Sequence, residues 1–493
     1  MRERVSFPVI PRRAVVLRHS SLRVAATMVI VASTLSACHS ARRSASAPAN
    51  LTAIAAACAV PVAAPSSSLA GTPVSEPLVT FDTAWTIIAR THWDTTYNGV
   101  NWKALRDTLR PRAAAAKTTG ELRGVLSVMV ASLKQSHFSI IPREISDATV
   151  GGDGRASRDQ SGTIGATLRA LNGGVVVTQV PGHGAASRAG VKPGWMVEAV
   201  SGCPIATRLK AIPHDPDPRR AALTDFSVTT RMLSGPVGEA VTVTFRDNDG
   251  AAQTVNIVRE SEPGTLAKFG NLPPFPASLT HERVKQGGKT VGIIRFNIWM
   301  PVLSPQFDAA MDSLRDVDAM IIDVRGNFGG VGGMSMGIAG HFLDSALTIG
   351  TMHQRGAALK FVANPRRVDT KGHSVRPFAG PLALLVDELS ISTTEIFAGG
   401  LQELGRARVF GVQTSGQALP SVPERLPNGD ILYHAIADFT SPTGKPVEGD
   451  GVKPDVIAPI TLKALRKGKD PARDAALAWA VQAAKQTLKG TTP

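Results

Sequence analysis

Three short stretches of this chain hold residue types that could form and break covalent bonds. The first is Leu389-Ser-Ile-Ser-Thr-Thr-Glu-Ile396, just after the buried apolar run that ends at Asp387. A serine at a strand-to-helix turn sits where helix amides point outward and can stabilise a developing oxyanion. The same residues also spell a capping box, with Ser392 capping the helix and Glu395 reaching back to cap the chain. The second stretch, Asp323-Val-Arg-Gly-Asn-Phe-Gly-Gly330, also leaves a buried run. Its adjacent glycines let backbone approach a ligand and aim N–H groups at negative charge. A plain turn would use the same residues, whereas a phosphate loop is excluded because no Gly-Lys-Ser/Thr follows and the GxGxxG spacing is missing. The third is Leu133-Lys-Gln-Ser-His-Phe138, where His137 could be a base, a surface residue or a satisfied core histidine.

The elements that must position these residues are legible in apolar spacing. From Phe81 to Ile140 the spacing is helical: Phe81, Trp85 and Ile88, then Trp102, Leu105 and Leu109, then Leu122, Val125, Leu126 and Met129. Three packed helices are expected there, followed by a polar, Gly-rich linker over 144–160. Between about Ser161 and Ser261 short β-rich runs (174–180, 196–200 and 241–245) alternate with Gly and Pro turns, the pattern of a compact, mostly β module. Beyond Val291 the buried-strand runs 291–296, 319–324 and 382–387 alternate with helical patterns at 304–315, 334–343 and 394–404. Such alternation implies an α/β core.

These segments, in this order and with this module between them, resemble the C-terminal processing or tail-specific serine peptidases over about Phe81 to Pro459. The family's helical part ending in a Ser-His turn is matched by Ser136-His137, and its Asp-Leu-Arg-x-Asn-x-Gly-Gly loop by residues 323–330. Its nucleophile segment is matched by 390–395, and its closing Gly-x-Gly-x-x-Pro-Asp by Gly449 to Asp455. The resemblance implies Ser392 as nucleophile, Gly330 and Thr393 N–H groups as the oxyanion hole, and a crotonase-like or ClpP-like protease core. It also makes the β module a PDZ domain, in which Ile164, Gly165 and Ala166 would hold a peptide's terminal carboxylate while the peptide adds a strand. Many members carry a lysine base 25 residues after the serine. Here that position is Gln417, which cannot take a proton. In the tricorn-like branch of the family an early Ser-His pair and a late Glu complete the group, and Ser136, His137 and Glu448 match them. His137 would then be the base and Glu448 would orient its ring. A lysine from elsewhere, such as Lys445, is the competing base.

The amino terminus carries an address. Six arginines precede the apolar stretch 24–35, which is too short for a membrane-spanning helix but suits a secretory signal. Leu35-Ser-Ala-Cys38 resembles a lipoprotein cleavage site, which implies that Cys38 is lipidated and anchors an exported protein in the cell envelope. The remaining cysteines, Cys58 and Cys203, could pair in an oxidising compartment or stay free. The formal charge is +15; removing the first 37 residues leaves +10, attributed to a basic proteome rather than to nucleic-acid binding. With 43% apolar residues the chain is neither disordered nor collagen-like.

The expected organisation is α/β and multidomain: signal 1–37, tether 38–75, helical region 76–143, PDZ module 161–261, protease core 285–465 and a C-terminal helix over 466–493. The expected activity is serine endopeptidase chemistry on protein or peptide substrates, with no metal, no organic cofactor and no nucleic-acid partner. A catalytically inactive relative that binds peptides or other ligands as an envelope lipoprotein is the alternative, and Gln417 is the feature that favours it.

Overall fold

The computed structural model describes Cys58 and residues 71–147, 161–171, 173–212 and 214–489; the signal, Cys38 and most of the tether lie outside these. Three helices open the described chain: Pro77–Thr91, Trp102–Ala114 and Thr119–Ala131. Each starts where local chemistry supplies a start. Pro77 occupies the first turn of the first, the Asn101 side chain accepts from the Ala104 N–H at the second, and Thr118 Oγ1 accepts from the Glu121 N–H at the third. Their apolar faces, among them Phe81, Ile88, Leu109, Leu122, Leu126 and Met129, are buried against one another. After the third helix the chain passes Ser136-His137 and enters the strand Ser139–Ile141, which pairs antiparallel with Ile431–Ala435 of the core, Ser139 opposite Tyr433. That pairing fixes the Ser-His turn onto the core.

The β module has the strands Thr167–Leu171, Gly174–Gln179, Met196–Val200, Ala240–Arg246 and Ala252–Val258, hydrogen-bonded in that order. Val241, Val243 and Phe245 alternate inward along one strand, as a half-buried strand requires. The module is less β-only than the sequence suggests, because Pro218–Leu233 is a helix packed across Thr167–Leu171. A disulfide joins Cys58 to Cys203, which is buried in the module's apolar core, closing the question left open by cysteine count alone.

The core is a six-stranded sheet in the order Leu279–Gln286, Lys289–Phe296, Ala319–Asp323, Leu382–Val386, Arg408–Gly411 and Val456–Ile457; only the first strand is antiparallel to its neighbour. Ala319–Asp323 and Leu382–Val386 are buried along their whole length, because helices cover both faces. On one face lie Ser304–Ser313, Gly332–Ala339 and Thr393–Glu403, contributing Phe307, Met311, Ile338, Phe397 and Leu401. On the other, the long helix Pro471–Lys489 lays Ala472, Ala476 and Ala480 against Ile321, Ala383 and Leu385. The core sheet thus begins at Leu279, ahead of the expected 285, and the C-terminal helix is one of its layers. The central strands are parallel, so their carboxyl ends, Asp323 and Val386, open at the same sheet edge, where an open α/β sheet places its ligands.

Candidate active site

Past Val386 the chain turns sharply. Asp387 organises the turn: its Oδ1 accepts from the N–H groups of Gly326 (2.9 Å) and Leu389 (3.1 Å), and its own N–H donates to Ser390 Oγ. Ser390 Oγ in turn donates to the Val324 carbonyl at 2.8 Å. Ser392 follows with φ +61° and ψ −123°, an unfavourable conformation for a residue with a side chain, and is 1% exposed. An ordinary N-cap is extended; a strained strand-to-helix turn that projects a serine is the geometry of a nucleophile. Glu395 still plays its half of the capping box by accepting the Ser392 N–H at 2.9 Å.

The 323–330 loop is stitched to this turn. The Ile391 N–H donates to the Asn327 carbonyl, Thr394 Oγ1 donates to the same carbonyl at 2.9 Å, and Thr393 Oγ1 donates to the Gly330 carbonyl at 2.8 Å. Trp299 Nε1–H donates to Thr394 Oγ1 from beneath. Gly329 and Gly330 have φ of +91° and +139°. A methyl on Gly329 would stand 2.6 Å from Ser392 Cβ, so glycine is required for the loop to lie against the serine. Among the described residues, the Gly330 and Thr393 N–H groups donate to no backbone acceptor, and Thr393 opens the helix, where amides are unpaired by construction. Arg325 and Asn327 order the loop. Burial would raise the Asp323 pKa, yet the Arg325 guanidinium, bonded to both carboxylate oxygens, brings it down to about 2. Asn327 Oδ1 accepts the Gly329 N–H and its Nδ2 donates to the Phe296 carbonyl.

His137, at φ +63°, is buried against Tyr433, with ring centroids 5.9 Å apart. Its Nδ1 is 2.6 Å from Ser136 Oγ, and that hydroxyl donates to Glu448 Oε2 at 2.9 Å. Glu448 also accepts the N–H groups of Ser136 (3.1 Å) and Ala418 (2.9 Å). A hydroxyl has one proton, and here it goes to the carboxylate, so Nδ1 carries its own proton and Nε2 is left with a lone pair. Nε2 is buried and has no hydrogen-bond partner among the described residues. Desolvation pushes the ring's pKa down from 6.5 to about 3, so it is neutral, and raises that of Glu448. Glu448 thus reaches the ring through the Ser136 hydroxyl. Nε2 makes no hydrogen bond to Ser392.

Gln417 sits in the turn between these two groups. Its carbonyl accepts the Ser392 N–H at 2.8 Å, while the next residue, Ala418, holds Glu448. Glu395 anchors the whole turn: Oε1 accepts from Thr414 Oγ1 and the Gly416 N–H, Oε2 from the Ser392 and Gln417 N–H groups. Burial raises its pKa to about 7 against these four donors. Sequence alone presents Glu395 as a helix cap; its second role needs the 414–417 turn, which lies 19 residues further along the chain. Lys445 is exposed and lies by Glu403, at the far end of the helix that Thr393 begins, so it is no base for Ser392.

Two arginines tie the β module to the site. Arg169 forms a buried ion pair with Asp387 at 2.6 Å. Arg219 donates to the carbonyls of Thr414, Gly449 and Asp450, gripping the loops on either side of Glu448. At the loop expected to hold a carboxylate, the Gly165 N–H already donates to Thr163 Oγ1, and a methyl on Gly165 would stand 2.7 Å from the Glu260 carboxylate. Ile164 and Ala166 flank it, the Ile164 carbonyl being taken by the Ala186 N–H. No group of metal-ligating side chains is found among the described residues.

Residues 290–458 match the model of peptidase family S41, and residues 73–131 match the tricorn protease C1 domain. Over that segment the chain is similar to the S41 peptidases. The S41 segment contains Ser392, the 323–330 loop and Glu448, and the C1 segment ends five residues before Ser136. Among similar proteins, carboxyl-terminal-processing peptidase 2 of Arabidopsis thaliana chloroplasts is 26% identical over 396 residues, 78% of this chain and 69% of its own. The carboxyl-terminal-processing protease of Picosynechococcus is 24% identical, spanning 76% of this chain and 82% of its own. The solved photosystem II D1 C-terminal processing protease aligns with a TM-score of 0.53 at 19% identity, over 79% of this chain and 95% of that one. Mature CPAF aligns with 0.53 at 13%, over 81% and 95%. These two likenesses are of fold.

Proposed function

We propose that this protein is an exported, lipid-anchored serine endopeptidase that uses Ser392, His137 and Glu448, with Ser136 as the link between the last two. The observation that carries this reading is the buried, unpartnered Nε2 of an imidazole whose other nitrogen is tied through Ser136 to Glu448. A serine hydroxyl needs a base, and Gln417 cannot be one. When a peptide carbonyl meets Ser392 Oγ, His137 Nε2 takes the hydroxyl proton as the C–O bond forms. The negative oxygen is then held by the Gly330 and Thr393 N–H groups, and the imidazolium shares its charge with Glu448 through the Ser136 hydroxyl. Nε2–H next protonates the leaving amine, and a water, activated by the same ring, hydrolyses the acyl-enzyme.

Cys38 is the proposed lipid anchor in the cell envelope. The β module is read as PDZ-like and as the part that receives the substrate tail, with Ile164, Gly165 and Ala166 as its peptide-binding loop. An inactive, ligand-binding relative is the second reading, favoured by Gln417. The two separate on one experiment. Wild-type protein should degrade an unstructured protein such as β-casein, and Ser392→Ala should not. Intact substrate with both proteins would support the inactive reading.

A further inference from the structure

The β module and the core do not meet flush. Between the strands Thr167–Leu171 and Gly174–Gln179, the core strands that end at Arg295 and Asp323, and the segment 460–473 lies a cavity of about 780 Å³, large enough for several amino-acid residues. Its walls are strongly charged, and the charges do not balance.

Each of the four carboxylates that line the cavity is paired with a guanidinium, whereas the lining carries five cationic side chains besides His281. Asp387 is paired with Arg169 at 2.6 Å, and Glu282 with Arg473 at 2.8 Å. Asp323 and Asp470 share Arg325, at 2.7 and 2.8 Å. Two lining cations remain. Arg295 donates only to the neutral Gln179 Oε1 (2.9 Å) and stands 3.8 Å from Asp323, whose oxygens are already bonded to Arg325. Lys469 is exposed and forms no ion pair among the described residues. At the loop 164–166 the neighbouring carboxylate, Glu260, is likewise paired, with Arg188 at 2.8 Å. Positive charge in excess is therefore offered in the cavity, at the carboxyl ends of the strands whose turns lead to Gly330 and Ser392.

We propose that this cavity binds an acidic segment of the polypeptide substrate, with Arg295 and Lys469 taking its side-chain carboxylates. The proposal rests on the peptidase reading and names a preference within it: unstructured chains with Glu or Asp clustered beside the cleaved region. Arg295 is the stronger determinant, because the part-buried guanidinium meets a carboxylate in a bidentate fork at reduced dielectric, whereas Lys469 acts as an exposed point charge.

The test is binding to the Ser392→Ala protein, which needs no turnover. A fluorescently labelled peptide with three consecutive glutamates is compared with its all-glutamine counterpart by fluorescence anisotropy. The glutamate peptide is expected to bind about tenfold more tightly or better, as for loss of one charge-assisted hydrogen bond. Adding Arg295→Gln should erase most of the difference, adding Lys469→Gln a smaller part, and raising salt should weaken only the glutamate peptide. Free glutarate at millimolar concentration should compete poorly; strong competition would assign the cavity to a small dicarboxylate instead and overturn the proposal. Equal binding of the two peptides, or an undiminished preference in both variants, would also overturn it. Circular dichroism and thermal melts show whether the variants fold, and Lys469, being exposed, is the safer of the two. Preferred binding with no cleavage by wild type would leave the cavity assignment intact while removing the peptidase reading; cleavage without preference does the reverse.

Discussion

Replacing Ser136 by alanine isolates the link between Glu448 and His137. The hydroxyl accepts from Nδ1 at 2.6 Å and donates to Glu448 Oε2 at 2.9 Å, and among the described residues no other group joins ring and carboxylate. Without it Nδ1–H loses its acceptor, while Glu448 keeps the Ser136 and Ala418 N–H groups and stays in place. The resting ring is neutral, so the ground state loses one hydrogen bond of ordinary strength. In the transition state the ring is charged and the same bond is worth about 1.5–3 kcal/mol, against about 1 kcal/mol in the neutral ground state, so the barrier rises by roughly 0.5–2 kcal/mol. At about 1.4 kcal/mol per tenfold, kcat should fall roughly two- to thirtyfold with KM little changed. The assay is steady-state hydrolysis of a fluorogenic peptide by wild type and Ser136→Ala, with thermal melts to confirm folding. Activity within twofold of wild type would refute the relay. Complete loss, equal to that of Ser392→Ala, would show that Ser136 does more than transmit charge.

Further outcomes follow from the same geometry. Gly329→Ala should cost about a hundredfold in kcat, because the new methyl would press on Ser392 Cβ and the residue has φ +91°; an active variant would show that the loop does not touch the serine. Glu395→Gln keeps one oxygen and turns an amide toward two donors, leaving buried N–H or O–H groups unpaired; Tm should drop by several degrees and activity with it, as read by calorimetry. His137 has a folded pKa pushed below its unfolded 6.5 to about 3, so the unfolded chain protonates first. Its contribution to stability is complete above pH 6.5 and is lost as pH falls toward 3. The urea midpoint of His137→Asn should accordingly depend less on pH across that window than that of wild type, and parallel curves would contradict it.

Much of the arrangement is visible in the residues themselves. The buried runs at 319–324 and 382–387 are uninterrupted because both sheet faces are covered, and the helices after them begin at Gly332 and Thr393, close to where periodicity places them. The strands Leu347–Gln354 and Ala357–Ala363 escape notice because they form a small sheet with mixed exposure, so neither alternation nor a continuous apolar run marks them. The helix Pro218–Leu233 is hidden for a different reason: it is only modestly apolar and buries one narrow face. At the site, Ser392, the glycine loop, His137 and Glu448 are legible through their order along the chain. What spacing cannot convey is that Ser136 stands between His137 and Glu448, or that Glu395 joins the nucleophile to the 414–417 turn. Each is a contact between segments more than 15 residues apart, created only when the sheet assembles.

The central claim is that His137 Nε2 receives the Ser392 proton, and a fluorophosphonate probe tests it most directly. Labelling of wild-type protein should place the adduct on Ser392, as located by mass spectrometry, and His137→Ala should react about a thousandfold more slowly. An adduct on another residue, or unchanged labelling of His137→Ala, would contradict the account.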